Sequence, residues 1–136
     1  MSTYKVEEIE GIGPVNAAKL EKAGIKTVED LLERCASRKG RGEVAEATGI
    51  DEKKILKWTN HADLMRIDGV GPEFAELLEA AGVDTVKELA TRKPENLAKT
   101  IAEKNEAKKL TRVTPSVERV TKWVAEAKTL PPVMTY

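Results

Sequence analysis

Cysteine and histidine each occur once in this chain, as Cys35 and His61. A lone thiol closes no internal disulfide, which suits a reducing compartment. One Cys with one His cannot fill a zinc site, so no metal is expected. No apolar run approaches the roughly 20 residues that cross a bilayer, and no membrane partner is expected. "MSTYKVEEIEGIG" reaches its first glycine motif at Gly11 without an apolar stretch ahead of it, so no targeting segment is expected. The expected location is the cytoplasm. Neither sign of charge is in excess: 23 basic residues balance 23 acidic ones, which argues against a protein built mainly to coat nucleic acid. No pair of carboxylates stands out against an apolar pocket as an acid/base couple would, and no histidine lies near Cys35 in sequence to activate it. No catalytic residue and no cofactor is therefore expected.

What the chain does contain, it contains twice. "IEGIGPVNAAKLEKAGIKTVEDLL" begins at Ile9, and "IDGVGPEFAELLEAAGVDTVKELA" begins 58 residues later at Ile67. The offset pairs Gly11 with Gly69, Gly13 with Gly71, Pro14 with Pro72, Leu20 with Leu78 and Thr27 with Thr85. Downstream the offset becomes 65, where Lys57-Trp58 meets Lys122-Trp123, so the second copy carries about seven extra residues between Arg92 and Val113. Such an internal repeat in 136 residues reads as two small units, expected at 1–62 and 63–130, with 131–136 as a C-terminal tail.

Each copy reads as short helices. Val6 and Ile9 form the apolar face of a first turn that stops at Gly11. Pro14 opens the next helix at a position where its missing N–H costs nothing. Ala17, Leu20 and Ala23 point inward, and Gly24 supplies a left-handed stop. Thr27 with Asp30 makes a weak capping box for the helix that follows, and Thr85 with Glu88 the fuller version of the same box. "SRKGRG" reads as a basic link to a brief helix "EVAEATG". Ile55, Trp58 and Ala62 share a face of the next helix, which Asp51 caps. In the second copy a helix is expected from Pro94 to about Lys104. The last helix is expected to be capped by Thr114, with Pro115 at its first position. No segment reads as a strand, so the expected fold is all-α.

The stretches "IxGIGPxxAxxLxxAGI" and "IxGVGPxxAxxLxxAGV" resemble the helix-hairpin-helix motif, apolar-x-Gly-apolar-Gly-x-x-x-Ala-x-x-Leu. "AGIKTVEDLL" is similar to the small helical domain preceding the ATPase core of archaeal RecA-like recombinases. The C-terminal domain of the RNA polymerase alpha subunit is a more distant likeness. From about Val6 to Leu130 the chain most resembles a bacterial family of two-unit helix-hairpin-helix proteins of unknown function. The resemblance implies two fused, SAM-like units of about five short helices each, related by a pseudo-two-fold axis. In relatives of this kind the hairpins grip the backbones of double-stranded DNA across a minor groove. Base-excision glycosylases with such hairpins need further helices and a downstream Asp or Lys, and nothing here fills that role.

Glycines bring the backbone close to a ligand, and a helix N-terminus offers N–H groups and a positive dipole end to a phosphate. In the first copy the candidate phosphate ligands are the amides of Gly11, Gly13 and Val15, with the side chains of Asn16 and Lys19. The alternative is that the glycines only allow two helices to cross tightly. Charge separates the copies. Lys5 to Asp30 has four basic and six acidic residues, whereas Asp63 to Glu88 has two against seven. Glu73, Glu76 and Asp68 make the second turn a poor phosphate site. Arg92 to Lys128 has ten basic residues against five acidic ones, which makes Lys104, Lys108, Lys109, Arg112, Arg119 and Lys122 the electrostatic candidates, with Arg38, Lys39 and Arg41 in the first copy. Trp58 and Trp123 lie on apolar helix faces and are expected to pack in the core rather than stack on bases. Phe74 is expected to be half exposed, and His61 to sit at a helix end or the surface. The expected activity is non-catalytic, sequence-independent binding of a double-stranded DNA backbone. The alternative is a protein-interaction or scaffold module, including self-association, that keeps the hairpin architecture without its phosphate chemistry.

Overall fold

A computed structural model describes residues 4–136. Among these residues the fold is all-α: eight α-helices and one short 3₁₀ turn, with a single isolated antiparallel bridge between Lys5 and Thr27. Two compact units emerge. The first runs up to Asp63 and includes Val133–Tyr136, and the second is Leu64–Pro132. The last four residues, set apart in sequence as a tail, thus belong with the first unit.

The first unit holds the 3₁₀ turn Val6–Glu8, α1 (Gly13–Lys22), α2 (Val28–Cys35), α3 (Arg38–Thr48) and all but the last residue of α4 (Glu52–Leu64). Val6, Ile9, Ile12, Leu20 and Ile25 are at most 2% exposed and form the plug around which α1 turns back. Burying each such side chain contributes about 1.5–3 kcal/mol before conformational entropy is subtracted. Thr27 opens α2 with a reciprocal box: its hydroxyl accepts the Asp30 N–H at 3.1 Å, and Asp30 accepts the Thr27 N–H at 3.0 Å. Ser37 caps α3 by accepting the Gly40 N–H at 3.1 Å. The basic run expected to be a link is therefore the first turn of a longer helix.

The second unit holds α5 (Pro72–Ala80), α6 (Val86–Leu89), α7 (Pro94–Lys108) and α8 (Val117–Ala127). Several bonds of its frame match those of the first. Ile12 N–H donates to Ile9 O, and Val70 N–H to Ile67 O. Ile25 N–H donates to Leu20 O, and Val83 N–H to Leu78 O. Arg34 ties down the Ala23 carbonyl at the end of α1, as Arg92 ties down those of Ala81 and Gly82 at the end of α5. Gly24 and Gly82 take φ of 87° and 91°, the left-handed stops that the pattern requires.

Three sequence expectations change. Helix α7 runs to Lys108, a turn beyond Lys104, because Ile101 and Asn105 continue its buried stripe. Helix α8 is capped by Ser116, whose hydroxyl accepts the Arg119 N–H, while the Thr114 hydroxyl accepts a bond from Asn105 instead. His61 lies in the last turn of α4, as expected, but it is fully buried rather than at the surface, within Trp58–Met65, where every residue is buried.

Candidate nucleic-acid interface

At the first glycine turn the chain leaves the 3₁₀ turn through Ile9, reverses at Gly11 with φ 90°, and enters α1 through Gly13 with φ 69°. Both conformations favour glycine because a Cβ would crowd the backbone. Ile9 and Ile12 anchor the turn from below, and Ile12 N–H donates to Ile9 O at 3.3 Å. The indole of Trp58 lies directly beneath: its Nε1 would stand 3.7 Å from a Cβ built on Gly11. Trp58 is 3% exposed and supports the turn rather than offering a stacking face. Gly11, Gly13, Pro14 and Val15 are exposed, Asn16 is half-buried, and Lys19 is exposed one helical turn on. The five candidate residues of this copy are thus on one turn and the start of one helix. The first amides of a helix have no intrahelical partner, so those of Gly13 and Val15 are the ones an anion would engage.

The second glycine turn has the same frame and a different state. Gly69 has φ 86°, and the Trp123 Nε1 would stand 3.5 Å from its Cβ. Gly71, however, has φ −97°, an extended conformation open to any residue. The Asp68 N–H at this turn donates to Glu126 Oε1 at 3.0 Å, so a carboxylate from α8 already sits against it. Glu73 stands exposed in the first turn of α5 and favours the same dipole end. The 65-residue offset places the buried His61 where the second copy has Glu126, so α4 offers no equivalent carboxylate. Phe74, half-buried, packs on Trp123 with ring centroids 5.3 Å apart.

Of the basic candidates in the second unit, four gather where α7 ends. Lys104 and Lys108 are exposed one turn apart on that helix. Lys109 closes it in the left-handed region (φ 52°), its N–H donating to Asn105 O at 2.7 Å. Among the described residues no other non-glycine residue has a positive φ. Asn105 then pins the following loop: its amide donates to Thr111 O and Thr114 Oγ1, both at 3.1 Å, and its Oδ1 accepts the Thr111 N–H at 2.9 Å. Lys109 and Arg112 border an open groove of about 700 Å³ here, together with Thr111, Glu73 and Glu106. The two carboxylates dilute its positive potential. Arg119 and Lys122 are exposed on α8, but the Arg119 guanidinium lies 5.0 Å from the Phe74 ring centroid and is partly committed there.

In the first unit Arg38 and Lys39 are exposed at the start of α3. Arg41 is not a surface charge. It is 3% exposed, and it donates to the carbonyls of Cys35, Ala36 and Thr135 at 2.7–3.0 Å. Its spacing in "SRKGR" could not separate it from its neighbours, because the segment that covers it and supplies the Thr135 acceptor lies 94 residues away. Cys35 is fully buried, and that burial pushes its thiol up to about 11, against opposing pulls from the Thr59 hydroxyl and the Arg34 and Arg41 charges. It is no nucleophile near neutral pH. Among the described residues no group of three or more His, Cys, Asp or Glu is placed to hold a metal, and no helix is long and apolar enough to cross a membrane. Sequence reasoning missed Glu126 and Asn105. Asparagine is a poor helix-interior residue, so its place inside α7 was the one available sign of a specific bonding role.

A family model described as a domain of unknown function, DUF4332, matches residues 10–130, and the chain belongs to that family. No curated protein and no solved structure compared with the chain matches it.

Proposed function

We propose that this DUF4332 chain is a non-catalytic module of two helix-hairpin-helix units that binds the backbone of double-stranded DNA without reading its sequence, acting in the cytoplasm. The observation that carries the reading is the difference between the two glycine turns. The first is exposed, built on two left-handed glycines and followed by Lys19, whereas the second has one left-handed glycine, Glu73 in its helix's first turn and the Glu126 carboxylate against its Asp68 amide. A phosphate oxygen at the first turn would meet the amides of Gly13 and Val15 and the positive end of α1. Such contacts position a backbone and carry no base information. In the second unit Lys104, Lys108, Lys109 and Arg112 are the cations that would meet phosphates. With so few cations the footprint is about two to four phosphates, giving a log–log salt slope of about −2 to −4.

Fluorescence anisotropy of a labelled duplex of about 20 base pairs, at about 20 and 150 mM salt, tests this. Binding at low salt that weakens with that slope is expected, and Lys108→Glu with Lys109→Glu should abolish it. Folded protein that binds no duplex at the lower salt would sink the reading.

One observation favours the rival, a protein-interaction module. Val15, on the crest of the open turn, is 68% exposed, and Val113 beside Arg112 is 65% exposed. Apolar side chains at those two points suit a protein face better than a phosphate. Val15→Ser separates the readings: duplex affinity should hold under the first, while a protein partner would be lost under the second.

A further inference from the structure

Val133–Tyr136 pack with the first unit through bonds that are specific rather than incidental. The Thr135 N–H donates to Ala36 O at 2.8 Å, and Arg41 Nη2 donates to Thr135 O at 2.7 Å. One residue is thus held by its main chain on both sides, the way an added strand is held at a sheet edge. Ala36 is the C-terminal cap of α2, where helix carbonyls lack intrahelical partners. Arg41 satisfies those of Cys35 and Ala36 through Nη1, both at 3.0 Å, and its guanidinium lies 5.5 Å from the Tyr136 ring centroid. The Tyr136 hydroxyl reaches α4, donating to Asn60 Oδ1 at 3.3 Å. Arg41 and Asn60, the two side chains that receive the segment, are 3% and 8% exposed.

The slot is therefore built and the segment in it is a surface clasp. Tyr136 remains 65% exposed, and Val133 and Met134 are only half-buried. Pro131 and Pro132 precede the clasp; they lack N–H groups and hold an extended arm. We infer that the corner from Ala36 to Arg41 is a docking site for an extended peptide, filled in cis by Val133–Tyr136 and able to take the same segment from a second copy of this chain. The second copy is the indicated partner because every chain carries both the slot and the segment that fits it, so exchanging the arm creates no new chemistry. Tethering keeps the cis arrangement dominant in dilute solution, since a short linker gives an effective concentration of about the millimolar level.

The test uses the full chain with a fluorescein-labelled peptide of sequence Leu130–Tyr136. In a Thr135→Pro, Tyr136→Ala variant the chain's own arm loses its N–H donor and its ring, so the slot is vacated. The labelled peptide should bind this variant at least about tenfold more tightly than the wild type, whose arm competes. A peptide carrying the same two changes should not bind either protein. Failure to bind the folded variant, or equal binding to both proteins, would overturn the docking site. Amide hydrogen exchange on the wild type reads the clasp independently of any variant: Thr135 should be protected, and an unprotected amide there overturns it. Sedimentation of the wild type at about 1 mM should show dimers that the variant lacks, and a wild type monomeric at that concentration would overturn the exchange between copies.

Discussion

Gly11 and Gly13 both lie in the left-handed region and are exposed, whereas at the matching turn only Gly69 does so and Gly71 is extended. The backbone bonds that hold the two turns are the same, down to Ile12 to Ile9 and Val70 to Ile67. The tryptophan beneath each is the same as well. What differs is the chemistry on top: Val15, Asn16 and Lys19 at one, Glu73 and the Glu126 carboxylate at the other. A repeated frame therefore does not imply a repeated site. The second turn has a carboxylate against its Asp68 amide, the counterpart of Glu10, and α4 brings none to the first.

The largest expected effect tests the shared frame. Trp58→Ala and Trp123→Ala should each destabilise the unit concerned by about 3–5 kcal/mol in urea unfolding, because each removes the buried support of a glycine turn. A much smaller loss for either would break the equivalence of the two frames. The next effect tests the difference. Gly13→Ala places a Cβ in the left-handed region and should cost about 1–2 kcal/mol, whereas the backbone of Gly71 accepts alanine and Gly71→Ala should cost a few tenths at most. Equal losses would mean that the two turns share one conformation.

The smallest effect distinguishes the capping boxes. The Lys26 and Thr27 amides donate to the Asp30 carboxylate and hold its pKa below the usual carboxylate range, while Glu88 in the second unit reaches Arg92 instead, at 3.5 Å. A depressed acid stabilises the fold fully above its unfolded pKa, about 4, and loses that contribution as pH falls through the lower folded value. Asp30→Asn should therefore flatten the acid limb of stability against pH. An unchanged acid limb would show that the box carries no linkage.

The local parts of this fold were legible in the sequence, because the residues that decide them are neighbours. Thr27 with Asp30, the Thr85 cap on the Glu88 N–H, and the stops at Gly24 and Gly82 are each written within five residues of the bonds they make, although the fuller box expected at Glu88 does not close because its carboxylate reaches Arg92. Helix faces were legible for the same reason, and Trp58 and Trp123 fall inside as their spacing implies. Features set by distant partners were not. Arg41 reads as a surface cation until Thr135 and Tyr136 return to cover it, and Thr114 reads as a cap until Asn105 claims its hydroxyl. The candidate site divides along the same line. Its residues at the first turn are contiguous and were readable, but the closure of the second turn depends on Glu126, 58 residues beyond the amide it holds.

The most direct measurement is a backbone-amide NMR titration of the folded wild type with a duplex of about 20 base pairs at about 20 mM salt. The account predicts that Gly13 and Val15, with Gly11 beside them, shift as the duplex is added, while Asp68, Gly69 and Gly71 stay in place. Shifts of equal size at both turns, or at the second alone, would contradict it.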